Sequence, residues 1–210
     1  MVPGPVPRVG LTRAGVIAAA IELVDAGGIS GFAELTLASV ASRVGVAVPS
    51  LYKHVGSIAD LRRGIAVDSI GAITAVVTRA TTGRSGRDAV VSMAHALRDF
   101  AREHPGCYAA TQVAANPLDP LDADLAARSA ETVTVIASVL RAFALPPELM
   151  IDAIRMLRSA LHGFVVLELG SGFGLPDDLD RSFEVLVETV IVGIERLAIA
   201  PAVVPVLTRR

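Results

Sequence analysis

The stretch LTLASVASRVGVAVPSLYKHVGSIADL, Leu35 to Leu61, decides how this 210-residue chain is read. It holds two short helical patterns with a glycine between them. Thr36 stands where a helix cap belongs, and Leu37, Val40, Ala41 and Val44 recur at helical spacing. Gly45 ends that segment, because glycine accepts the left-handed conformation of a tight exit. A second helix is expected near Val48 to His54. Pro49 fits its first turn, where no amide donor is required, and Gly56 breaks it. Two short helices joined this closely have the spacing of a helix-turn-helix, whose second helix enters the major groove of DNA. Ser57 then caps a longer helix, with Asp60 placed to reach back as in a capping box.

Working outward, Thr12 caps a first helix whose stripe is Ile17, Ala20, Ile21 and Val24, and Gly27-Gly28 end it. Residues 1–10 are rich in proline and glycine and read as a flexible arm. Downstream, the helix after Ser57 runs to about Arg79, and TTGRSG (Thr81 to Gly86) is a loop. Further helices are expected to about Glu103, over Tyr108 to Ala115, and over Asp122 to Phe143, Glu148 to Leu169 and Leu179 to Ile199. Pro105-Gly106, Asn116-Pro117, Asp119-Pro120 and Pro146-Pro147 punctuate them. Strand signals are almost absent. The fold class is all-α, with a three-helix helix-turn-helix unit expected over 11–57 and a larger helical bundle over 58–210.

Hydrophobic residues make up 52% of the chain, which suggests a buried subunit interface, a ligand cavity, or both. Charge or proline (Glu22, Glu188, Glu195, Pro201, Pro205) interrupts the most apolar stretches, so no membrane span is expected. The N-terminus lacks the pattern of a signal peptide, and the expected location is cytoplasmic. Cys107 is the single cysteine and reads as a small buried residue. The net charge is −2, yet residues 1–70 carry six bases against five acids. DNA binding needs a locally basic face and not a basic protein.

The residues from Leu35 to Leu61 resemble the signature of the TetR family of repressors. The matching positions are Thr36, Ala41, Val44, Gly45-Val46, Leu51-Tyr52-Lys53-His54 and Leu61, and TRAGVIAAAIELVDAGG upstream resembles the family's first helix. Two positions depart from the pattern. Ala47 stands where a small polar cap is common, and Ile58 where a lysine usually touches phosphate; its loss flattens the salt dependence of DNA binding by roughly one unit of slope. Arg158 to Glu168, with Gly172-Phe173 and Asp180 to Phe183, resembles a TetR C-terminal subfamily marked by a Trp-His-Gly-type motif. His162-Gly163 is present, but the chain has no tryptophan.

The resemblance implies double-stranded DNA, a small-molecule effector and a second copy of the chain as partners. Val48, Pro49 and Ser50 face base edges in this reading. Two of them are apolar and suit thymine methyl groups, whereas Ser50 can donate or accept. Thr36, Tyr52, Lys53 and His54 hold phosphates, Arg43 reaches backbone or base, and Arg8 and Arg13 enter the adjacent minor groove. An effector pocket is expected among Met93, His95, Leu97, Phe100, Tyr108, Gln112, Phe143, Met156 and His162, mostly apolar and suited to a lipophilic ligand. Ile154, Leu161, Phe164, Phe183, Leu186, Val190 and Ile194 supply a four-helix dimer interface. The histidines lack the spacing of a metal site, and no cofactor is expected. An enzyme finds no support in any nucleophile–base pair or phosphate loop. A helical interaction module that has lost DNA binding is the alternative, kept open by Ala47, Ile58 and the acidic balance.

Overall fold

The computed structural model describes residues 11–199; the arm at 1–10 with Arg8, and the tail with Pro201 and Pro205, lie outside the described residues. Those described form ten α-helices and three short 3-10 turns, with no strand among them. The helices are α1 (Arg13–Ala26), α2 (Gly28–Glu34), α3 (Leu37–Val44), α4 (Val48–Leu51), α5 (Ile58–Thr81), α6 (Gly86–Glu103), α7 (Pro105–Ala110), α8 (Ala123–Leu140), α9 (Met150–Leu169) and α10 (Leu179–Ile199).

Local chemistry sets most of these boundaries. The Thr12 hydroxyl accepts from the Gly15 amide at 3.0 Å and opens α1. Thr36 and Ser39 cap α3 reciprocally, each side chain accepting from the other's amide, at 3.1 and 3.3 Å. Gly45 closes α3 at φ +69°, and Ser57 opens α5 by accepting from the Asp60 amide at 3.0 Å.

The sequence reading names no helix between Gly27-Gly28 and Thr36, and the chain there turns at once into α2. The helix expected over Tyr108 to Ala115 is corrected: Pro105 and Gly106 form its first turn, as α7, and it ends at Ala110. Both features have one tertiary cause. Gly31 of α2 and Gly106 of α7 press against the carbonyl of Val24, and an added Cβ would lie 2.1 and 2.0 Å from its oxygen. Only glycine lets three helices meet there.

Two hydrophobic cores result. The N-terminal core gathers Val16, Ala20 and Val24 of α1, Val40 and Ala41 of α3, and Leu51 of α4, with Leu61 and Ile65 of α5 and Ala110 of α7. The second core gathers Ile73 and Val77 of α5 with Val90, Met93, Tyr108, Leu140, Leu161, Phe183, Ile191 and Ile194. Helix α5 belongs to both, so packing runs continuously through the division expected between residues 57 and 58. This helix is also long and apolar enough to meet a length-and-composition test for a membrane span. Here it packs against α1, α6, α7 and α8 as a shared core helix.

The units are tied a second time through α7. The Asp25 carboxylate, at the end of α1, accepts from the Cys107 amide at 2.9 Å and lies 2.7 Å from Nδ1 of His104. Gly106→Ala is expected to destabilise the protein by about 1–3 kcal/mol through overpacking at Val24. Thermal unfolding checks this, and an unchanged Tm would contradict the close approach.

Candidate nucleic-acid interface and regulatory site

Helix α4 is a short post whose base is Leu51, fully buried in the N-terminal core. Its outer turn carries exposed Pro49 between half-buried Val48 and Ser50. The helix is shorter than the expected span to His54. The Lys53 and His54 amides turn back to the carbonyls of Ser50 and Leu51, at 3.4 and 2.8 Å, so the chain tightens into a turn. That turn leaves Tyr52 55% exposed and Lys53 exposed beside it. Ala47 precedes α4 and supplies no side-chain cap. Thr36 is exposed at the start of α3, and Ile58 packs its side chain against the N-terminal core.

The arginines divide by what they already hold. Arg13 forks onto Asp60 at 2.7 and 2.8 Å and donates to the His54 carbonyl at 3.2 Å. It clamps α1 to the start of α5 and to the turn before it, so the expected minor-groove contact would require this fork to open. Asp60 also accepts from the Gly56 amide at 2.9 Å. The Arg13 fork, aided by that amide and by Arg63, holds the Asp60 carboxyl down at about 2. Arg43 pairs with Glu22, but both side chains are more than half exposed, so this bond can be exchanged for a phosphate.

The residues expected to line a pocket are dispersed. Met93, Phe100 and Tyr108 are buried core residues, with Leu97, Phe143 and Met156 packed half-buried against them. His95 lies 3.0 Å from Glu184 and edge-on to Phe183, with ring centroids 5.5 Å apart. One group does assemble between α7 and α9. The Tyr108 hydroxyl sits 3.0 Å from Nδ1 of His162, and Gln112 accepts from Arg158 at 3.2 Å. Burial first, then the Arg158 charge, pushes the His162 pKa down, while burial pushes the Tyr108 phenol up. Both stay neutral. Burial, with Asp25 nearby, pushes the Cys107 thiol up to about 11, so it is unreactive at neutral pH.

The larger open space lies elsewhere. A cleft of about 790 Å³ runs between α5 and α6, where Ala72, Ala75, Ala80 and Ala96 leave the facing helices unfilled. Arg79, Asp99, Glu103 and His104 also line it, and Phe100 is the one residue of the expected pocket that reaches it.

The expected dimer face is corrected as well. Ile154, Leu161, Phe183, Val190 and Ile194 are buried within their own subunit, and Phe164 and Leu186 pack half-buried on the same core. The outer faces of α9 and α10 expose a different apolar set, including Ile151, Leu167, Val185 and Val192. Gly163 has open space where a Cβ would stand. The sequence reading also missed Arg98. It is 3% exposed, forks onto Glu168 at 2.8 and 2.7 Å, meets Asp180 at 2.8 Å, and lies 4.6 Å from the Phe183 ring centroid. This buried charge locks α6 to α9 and α10.

An exposed recognition turn on a helix-turn-helix, joined by one helix to a larger helical unit, defines a DNA-binding regulator by class. The comparisons agree. Residues 90–190 match the family model for the tetracyclin repressor-like C-terminal domain. The chain is 35% identical over 189 residues to an uncharacterized HTH-type transcriptional regulator of Mycobacterium tuberculosis, Rv0681, covering 89% of this chain and 83% of that one. It is 32% identical over 189 residues to the HTH-type regulator YobS of Bacillus subtilis, covering 90% and 95%. Among solved structures it superposes on a TetR variant of Acinetobacter baumannii in complex with minocycline, with a TM-score of 0.67 and 22% identity over 91% of this chain and all of that one. The chain belongs to the TetR family of transcriptional regulators.

The Arg13–Asp60 clamp sets an acid limit on the N-terminal unit. A carboxyl held near 2 when folded and at about 3.9 when unfolded stabilises the fold above pH 4. That contribution disappears as pH falls from about 4 to 2. Asp60→Asn is expected to cost about 1 kcal/mol at neutral pH, after allowance for solvent screening. Denaturant unfolding of both proteins across that range checks it: the gap closes toward pH 2, and a gap independent of pH would contradict the clamp.

Proposed function

We propose that the protein is a homodimeric repressor that binds a palindromic operator through two copies of α4 and leaves it when a small molecule binds the regulatory unit. The observation that carries this reading is the exposure of Pro49, Tyr52 and Lys53 on a turn whose base, Leu51, is fixed in the core. Val48 and Pro49 suit thymine methyl groups, Ser50 adds one hydrogen bond, and Thr36, Tyr52, Lys53 and Arg43 hold phosphates. In this reading the regulator works in the cytoplasm and carries out no catalysis.

The dimer uses the outer faces of α9 and α10, with Ile151, Leu167, Val185 and Val192 as apolar contacts and Gly163 allowing close helix approach. Two-fold symmetry of the protein then mirrors that of the operator. The α5–α6 cleft receives the effector. Its lining mixes small alanines with Arg79, Asp99, Glu103 and His104, which suits an amphipathic molecule rather than a wholly apolar one. Because α5 runs from that cleft into the N-terminal core, a ligand that shifts it against α6 changes the spacing of the two α4 helices.

Selection of operators from random DNA with the purified protein tests the reading. The expected product is a palindrome with half-sites about one helical turn apart. Lys53→Ala is expected to lower the salt slope by about one, with affinity reduced on every sequence alike. Sequence-independent binding with an unaltered slope would instead favour the interaction module.

A further inference from the structure

A second, smaller cleft of about 310 Å³ lies where the N-terminal unit meets the regulatory unit. Phe32 and Ile58 contribute apolar wall from one side, and Val113 and Leu125 from the other. Ala59, Arg62, Arg63 and the Asp122 carboxylate also line it. The two arginines differ in what they hold. Arg63 is neutralised by Asp122 at 2.5 Å and by Asp119 at 3.4 Å. Arg62 pairs with no carboxylate among the described residues. One of its nitrogens donates to the carbonyls of Ala33 and Leu35, at 2.8 and 3.2 Å, and its Nε is buried with no hydrogen-bond partner.

Capping the end of α2 explains the two carbonyl bonds, and the guanidinium also lies 6.0 Å from the Phe32 ring centroid. Neither contact satisfies Nε or neutralises the Arg62 charge beside the cleft. An unmade hydrogen bond from a buried charged group is costly, and an incoming carboxylate removes that cost. We propose that this cleft is a second ligand site, distinct from the α5–α6 cleft, for a small organic acid with a compact apolar body and one carboxylate. The acid group pairs with the Arg62 guanidinium at the cleft wall. The body lies against Phe32, Ile58, Val113 and Leu125. Because the walls come from both units, occupancy also biases their relative angle; only this last clause rests on the regulator reading.

Benzoate serves as the probe, with benzamide as its neutral counterpart, and calorimetric titration of the full chain without DNA is the measurement. Wild-type protein is expected to bind benzoate and at least tenfold more weakly benzamide. Arg62→Met is expected to abolish benzoate binding, and Arg79→Met, in the other cleft, to leave it intact. Ala59→Phe fills the cleft while leaving Arg62 in place, and is expected to abolish binding in a protein whose helix content and Tm are unchanged. No saturable benzoate binding by the wild type, or binding lost in Arg79→Met and kept in Ala59→Phe, would overturn the proposal. Since no step involves DNA, its failure is distinguishable from failure of operator recognition.

Discussion

One helix serves two hydrophobic cores, and the rest of the architecture depends on it. Leu61 and Ile65 of α5 are fully buried among the DNA-binding helices, and three turns on, Ile73 and Val77 are buried in the regulatory bundle. A 24-residue α-helix is about 36 Å long and spans from one core to the other. In the proposed mechanism, displacement of α5 at the regulatory end is carried to the recognition turn. The second tie, Asp25 on the Cys107 amide and Gly31 and Gly106 against the Val24 carbonyl, joins α1 to α2 and α7.

Charge is distributed in keeping with this mechanical picture. Arg13, Arg63 and Arg98 are bound into bidentate or multiple carboxylate pairs that join different helices. They set relative positions of elements. Near α4 the exposed groups include Tyr52, Lys53, and an Arg43 whose exposed pair with Glu22 is easily exchanged. A protein with a net charge of −2 thus still exposes, where α4 emerges, a lysine unpaired among the described residues.

The sequence made local features legible and left tertiary ones obscure. Thr36, Gly45, Pro49 and Ser57 set helix ends through chemistry within four residues of themselves, and each boundary appears where that chemistry predicts. Helix α2 was invisible because its glycines look like a loop until Val24 is packed against Gly31. Pro105 marks a helix start as readily as a stop, and only contact with α1 decides between them. The stripe of α9 and α10 was readable as apolar, but periodicity does not say whether its partner is the same subunit or another; Phe183 and Ile194 turned inward, and Val185 and Val192 remained outside. The Arg13 fork is not legible because its partner Asp60 is 47 residues away. The α5–α6 cleft is not legible in the sequence because it is made by small residues on facing helices, Ala72 and Ala75 against Ala96, rather than by large apolar side chains.

In the proposed dimer, two copies of α4, held by two α5 helices, are set one DNA turn apart. Pulsed electron–electron resonance between nitroxides at Ala47→Cys tests it directly, since buried Cys107 resists labelling. A spin-pair distance that narrows around about 34–36 Å on operator DNA is the predicted result. Absence of a spin pair, or a distribution indifferent to DNA, would contradict the account.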